Sequence, residues 1–311
     1  MSLREFYTIQ NPLAFSGTQR PYSEAEVVIV GAPFDSTSSF KPGSRFGPRS
    51  VREASNNIES NGILANRSYI EQVKIHDMGD LSVVPGDTLE TLNRLSKVSE
   101  EIIQDGKLLV AIGGEHTITY GAVKAMANLG MKPCITVIDA HFDLRKDYLG
   151  YSYSHASVMR RIIESSLADR IVYIGVRAYE EEEILYAEAH KDRILYKTPI
   201  DVEREGYKNI TVATKRFLSQ CRYIYVSIDI DGIDPSYAPG TGTPEPFGLS
   251  PLTVVKIIGG ILDDRLVGID LVEVNPLVDC NDITSVLGAK MLQEAILLYK
   301  FSSRVKKQSQ R

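Results

Sequence analysis

Three apolar runs, each closing on carboxylates and imidazoles, constrain this chain more than any other feature. They are LLVAIGGEHT (108–117), CITVIDAHFDLR (134–145) and YIYVSIDIDGIDP (223–235). A continuous Val/Ile/Leu run fits a strand covered on both faces, as in a parallel sheet. Open parallel sheets bind ligands outside the carboxyl ends of their strands. The metal-type side chains of these runs all fall there: His116; Asp139, His141 and Asp143; Asp229 and Asp231. One aspartate at a strand end is usually a cap or turn former, and one such histidine is more often a hydrogen-bonding core residue. Three runs that are polar at the same end point instead to a catalytic centre holding two metals.

Strand-like runs alternate with helical periodicity over most of the chain. Strands are expected at 27–30, 73–76, 108–112, 134–139, 170–175, 193–196, 223–229 and 266–274. Helices are expected at 88–105, 119–129, 157–166, 180–190, 211–219, 250–263 and 285–299, the sixth opened by the N-cap Ser250 and a first-turn Pro251. This alternation implies right-handed crossovers and a three-layer α/β/α sandwich around a mostly parallel sheet. No linker or repeat divides the chain, so a single domain is expected over 1–311, with a peripheral N-terminal arm (1–20) and a frayed basic tail (303–311). The Gly/Pro-rich stretches 31–48 and 232–248 are expected to be long functional loops.

Composition narrows the function classes. A net charge of −5 leaves no basic footprint for nucleic acid. The N-terminus lacks the apolar core of a signal peptide, and no stretch approaches the ~18 apolar residues of a membrane span. Cys134, Cys221 and Cys280 are odd in number and far apart, which reads as reduced, buried thiols in a cytoplasmic protein.

The ligands can be apportioned. If Asp139 and Asp229 bridge, one metal has His116, Asp139, Asp143 and Asp229, and the other has Asp139, His141, Asp229 and Asp231. Residues two apart on an extended chain face the same way, which would bring Asp139, His141 and Asp143 together, and likewise Asp229 and Asp231. Four carboxylates offset two divalent cations, and a bridging hydroxide leaves the cluster slightly negative, suited to a cationic substrate. An oxygen-rich set with only two imidazoles favours Mn²⁺ over Zn²⁺. DIDGID resembles the start of a calcium loop, but a strand precedes it where an EF-hand needs a helix.

The motifs GGEHT, DAHFD, SIDIDGIDPSYAPGTGTPEP and LVEVNP, with GSRFGPRSVREAS at 43–55, resemble the ureohydrolase family, which includes arginase and agmatinase. The likeness runs from about Val27 to Tyr299. DLR at 143–145 followed by YSHASVMRR at 153–161 looks most like the agmatinase branch. The resemblance implies an arginase-like α/β/α domain, two Mn²⁺ per subunit on the six residues above, and a homotrimer or homohexamer. It also implies that His155 transfers protons beside the substrate and that Glu273 pairs with the guanidinium. The expected reaction is attack of a metal-bridging hydroxide on the guanidinium carbon of agmatine, giving putrescine and urea, with Asp143 receiving the hydroxide proton.

Several assignments stay open on the sequence alone. Glu273 could instead be a buried strand-end carboxylate, and His155 an exposed loop residue. Thr243 could bond the substrate or merely stabilise its loop. Arg145 could serve an anionic substrate, pair with a carboxylate such as Asp147, or face solvent. Gly113 and Gly114 are expected to let the backbone approach the metals. His76 and His190 match no motif and read as structural. The alternative substrates are N1-aminopropylagmatine, formiminoglutamate, guanidinobutyrate and arginine. A polyamine-binding protein without turnover should have lost a ligand, and none is missing. A phosphoesterase would need cationic clamps that the motif loops lack.

Overall fold

In a computed structural model of the chain, residues 2–309 are described, with side chains as far as Phe301. The eight expected strands are present as β2 (Val27–Ala32), β3 (Ile75–Leu81), β4 (Leu108–Gly113), β5 (Cys134–Ile138), β6 (Ile171–Ile174), β7 (Ile194–Lys197), β8 (Ile224–Asp229) and β9 (Leu266–Val272). A two-residue strand, β1 (Thr8–Ile9), adds the one antiparallel edge, and the sheet order is β1-β3-β2-β4-β9-β8-β5-β6-β7.

Alternation along each strand explains the layers. Val27, Ile29, Val110, Ile112, Val226 and Ile228 point into one core; Val28, Val30, Leu109, Ala111, Ile135 and Val137 point into the other. The first core is covered by α2 (Gly47–Ser55), α8 (Tyr207–Phe217), α9 (Pro251–Ile261) and α10 (Ile283–Ser309), which contribute Val51, Ile210, Val254, Ile257 and Leu292. The second is covered by α3 (Thr88–Gln104), α4 (Ile118–Asn128) and α5 (Val158–Glu164), through Leu92, Leu95, Val98, Ala122 and Ile162. α6 (Glu181–Ala189) opens with a capping box between Glu180 and Glu183. Ser250 caps α9 as expected, accepting from Thr253 N–H. The mostly parallel α/β/α architecture is thus as the sequence predicts.

Several expectations are corrected. The N-terminal arm is not peripheral: α1 (Leu3–Tyr7) leads into β1, Phe15 is fully buried, and its N–H donates to Asp77 Oδ2 at 2.9 Å. The expected loop 31–48 ends earlier, because Gly47 and Pro48 open α2 (Gly47–Ser55), a helix not among those expected from the sequence. Its Arg52 is completely buried and reaches Asp77 with both Nε and Nη2, at 2.8 and 2.9 Å, tying α2 to β3. A further helix, α7 (Pro199–Glu205), precedes α8; Thr198 and Asp201 form its capping box, and Gly206, at φ 77°, separates the two helices. α10 continues to Ser309, so residues 303–309 of the tail expected to be frayed are helical, and 310 and 311 lie outside the described residues.

The cysteines also differ from expectation. Cys134 and Cys221 form a disulfide, and Cys280 is exposed. The reason is strand order: β5 and β8 are neighbours, with Cys134 opposite Ile224, so residues separated by 87 positions lie with Cα atoms 5.9 Å apart. Cysteine usage therefore gives no ground for a reducing compartment. Among the described residues no helix is long and apolar enough to cross a membrane.

Candidate metal centre and active site

The four central strands, β4, β9, β8 and β5, are adjacent and parallel, and their carboxyl ends carry every candidate ligand together with Glu273. Consecutive β4 and β5 are separated by two later strands, which opens the crevice expected where an α/β sheet reverses its order. His116 follows β4, Asp139 follows β5, Asp229 ends β8 and Glu273 follows β9.

The convergence does not come from strand alternation, contrary to expectation. β5 stops at Ile138; Asp143 then turns the chain with φ 52°, while His141 makes an isolated bridge to Ala178. Asp231 lies in a 3₁₀ turn (Ile230–Gly232) capped by Asp229, whose Oδ1 accepts Asp231 N–H at 2.9 Å. Glu273 also lies in the left-handed region, at φ 63°. Such backbone costs of order 1–3 kcal/mol and concentrates at functional sites.

His116 Nδ1 lies 3.1 Å from Asp139 Oδ2, 2.9 Å from Asp143 Oδ2 and 3.2 Å from Asp229 Oδ2. His141 Nδ1 lies 3.0 Å from Asp231 Oδ2 and 3.6 Å from Asp139 Oδ1. Two compact ligand sets result, His116/Asp139/Asp229 and Asp139/His141/Asp231, with Asp139 common to both. Asp229, expected to bridge, joins only the first set.

The donor chemistry fits cations. His116 Nδ1 and Asp139 Oδ2 are buried without a hydrogen-bond partner. His116 Nε2 meets Ser227 Oγ at 2.9 Å, and Ser227 Oγ donates to Asp270 Oδ1 at 2.6 Å. Ser227 therefore accepts from Nε2–H, which leaves the Nδ1 lone pair facing three carboxylates. Burial, then the neighbouring carboxylates, pushes Asp143 up to about 7 and Asp229 well above its usual range. Burial also acts to raise Asp231, but His141 and the Ala140 amide outweigh it and hold that carboxyl low. Crowding of this kind is relieved by bound divalent ions.

A cavity of about 250 Å³ opens over the cluster. His155 is on its wall, at the start of a 3₁₀ turn (His155–Ser157). Its N–H donates to Thr37 Oγ1 at 3.1 Å, and Nε2 lies 3.2 Å from Ser39 Oγ. Thr37 donates its hydroxyl to Glu115 Oε1 and its N–H to Glu115 Oε2, the latter at 2.8 Å. Burial, and then the charge of His141, lowers His155 to about 4. Glu115 has no exposed surface, and burial pushes it up to about 7.

The remaining sequence candidates fall out as follows. Glu273 is 7% exposed, and its Oε1 accepts His116 N–H at 2.8 Å, which leaves Oε2 for the pairing expected of this residue. Thr243 lines the cavity and donates to Asp231 Oδ2 at 3.2 Å. Arg145 lines it too, but pairs with Glu180 at 3.5 Å and Glu183 at 3.6 Å rather than with Asp147. The glycines serve backbone packing: a Cβ on Gly114 would sit 2.0 Å from Phe34 O, and one on Gly113 would meet Val272 and Ile118. His76 and His190 bond the carbonyls of Arg20 and Tyr186, in keeping with structural roles.

Sequence reasoning missed Glu115, Thr37, Ser227, Asp270 and Arg177. Asp270 accepts hydroxyls from Ser227, Tyr225 and Thr119 deep in the sheet; an aspartate inside the apolar run LVGIDLV was the available signal. Arg177 spends its guanidinium on the carbonyls of Gly175, Asp231, Gly232, Glu245 and Pro246 and so clamps the loop that carries Asp231.

Comparison with known proteins agrees with this architecture. The arginase family model matches residues 25–298. An agmatinase of Halalkalibacterium halodurans is 34% identical over 280 residues, covering 89% of this chain and 93% of that protein. A guanidinobutyrase of Pseudomonas aeruginosa is 33% identical over 277 residues, covering 87% and 85%. The crystal structure of agmatine ureohydrolase of Thermoplasma volcanium superposes with a TM-score of 0.84 at 35% identity, covering 94% of this chain and 96% of the other. With its sheet order, its carboxyl-end ligand sets and a match spanning almost the whole chain, this protein belongs to the arginase family.

Proposed function

We propose that this arginase-family hydrolase converts agmatine and water to putrescine and urea with two Mn²⁺ per subunit. His116, Asp139, Asp143 and Asp229 would hold one ion, and Asp139, His141 and Asp231 the other. When bound, such a pair lowers the pKa of water from ~15.7 toward about 7 and supplies a nucleophile at neutral pH. Glu273 Oε2, which accepts no hydrogen bond from any described residue, takes a guanidinium N–H and orients the planar cation. Asp143, on the cavity wall, accepts the proton released as the C–O bond forms. His155, neutral at pH 7, takes a proton from solvent and passes it to the departing amine nitrogen as the C–N bond breaks, while the proton on Asp143 returns to solvent.

The observation that carries the choice of agmatine is the engagement of Arg145. Among the described residues it is the one Lys or Arg on the wall of the cavity, and it pairs with Glu180 and Glu183. Among the described residues no free cation is left there for the carboxylate of arginine, guanidinobutyrate or formiminoglutamate. A product assay with added Mn²⁺ tests the reading. Urea release with the highest kcat/KM on agmatine supports it; formamide from formiminoglutamate, or preference for a carboxylate-bearing guanidino compound, contradicts it. A homotrimer or homohexamer is the proposed assembly, by resemblance to the family.

A further inference from the structure

We propose that Glu245 is the specificity-determining residue that receives the distal ammonium of the substrate; this rests on the reading of an amine-bearing guanidino substrate. The inner cavity, which holds His141 and Asp143, and a larger one of about 1110 Å³ share two lining residues, Tyr179 and Glu245. His141 and Asp143 line only the inner cavity. Glu245 is thus common to the walls of both cavities, whereas the candidate ligands line the inner one alone.

The charges there select a cation. Apart from the metal-type ligands and His155, the Asp, Glu, Lys and Arg residues on the inner wall among the described residues are Arg145, Glu180, Glu183 and Glu245. Arg145 is committed to Glu180 and Glu183. Glu245 has no ion pair within 4.0 Å among the described residues; the nearby Arg177 feels its charge but bonds its backbone carbonyl. Arg177 binds the Glu245 backbone carbonyl at 2.7 Å and directs its other N–H groups to carbonyls as well. The backbone of Glu245 is thus held in place, and the half-buried residue lines the cavity with no ion pair within 4.0 Å among the described residues. An ammonium at the end of a short methylene chain is the complementary group.

The test is a ratio within each protein, which cancels losses in folding or metal content. The kcat/KM for agmatine is divided by that for butylguanidine, which has the same guanidinium and chain but no amine. The wild type should favour agmatine, and Glu245→Gln should shrink the ratio by roughly tenfold. Glu245→Lys should shift preference further, toward 4-guanidinobutanoate. If the wild type favours agmatine and both variants keep its ratio, the assignment of Glu245 is overturned while the agmatine reading stands. If the wild type itself prefers 4-guanidinobutanoate, both are overturned.

Discussion

Ser227 Oγ lies 2.9 Å from His116 Nε2, on the side of the ring opposite the three carboxylates. Because Ser227 gives its own proton to Asp270, it can only accept from His116, and that fixes the tautomer a metal needs. Partners of this kind are worth about 10–100-fold in metal affinity. Ser227→Ala should weaken Mn²⁺ binding by that amount in calorimetric titration, with thermal stability little changed. Wild-type affinity in the variant would show that the hydroxyl does not orient the ligand.

Thr37 links buried Glu115 to His155 and so sets where the imidazole stands. Misplacing a proton-transfer group by about an ångström can cost up to ~100-fold in rate. Thr37→Val should lower kcat between about tenfold and 100-fold with little change in KM, and Thr37→Ser should restore most of it. An equal loss in both variants would point to a packing role instead.

His155 also gives a pH signature. Burial and then the His141 charge hold it neutral, with the folded value near 4 against a usual 6.5. Between those values the unfolded chain binds the proton more readily, so this group's contribution to stability falls as pH drops from about 6.5 to about 4. Chemical denaturation of the wild type and His155→Asn across that window should show the wild type losing more stability on acidification. Parallel curves would mean that His155 is not held neutral.

The parts of the site that could be read from sequence are those in which a chemical type sits at the end of a regular pattern. His116, Asp139 and Asp229 each lie at or just past the carboxyl end of a mostly apolar strand, so their place on the sheet follows from the run that precedes them. Asp143 and Glu273 were identified by type, but their positive φ angles belong to turns that only neighbouring strands define. Ser227 and Asp270 lie inside strands, where a small polar residue looks like a weak strand position until the facing strand supplies its partner. The burial of Phe15 and the Cys134–Cys221 bond depend on which strands are adjacent, and no local pattern carries that information.

The disulfide closes a segment that contains Asp139, His141, Asp143 and His155, and it joins β5 to β8 at the ends away from the cavity. Its main effect should be on the unfolded chain rather than on the site. Cys221→Ser should lower unfolding free energy by about 2–4 kcal/mol while kcat on agmatine stays close to wild type. A variant of unchanged stability would mean that the bond is not formed in the purified protein.

The most direct measurement is an anomalous-difference map from Mn²⁺-loaded crystals, collected near the manganese edge. Two peaks ~3.5–4 Å apart are expected on either side of Asp139, one next to His116 and the other next to His141. A single peak, or peaks that do not share Asp139, would contradict the two-ion centre on which the proposed hydrolysis depends.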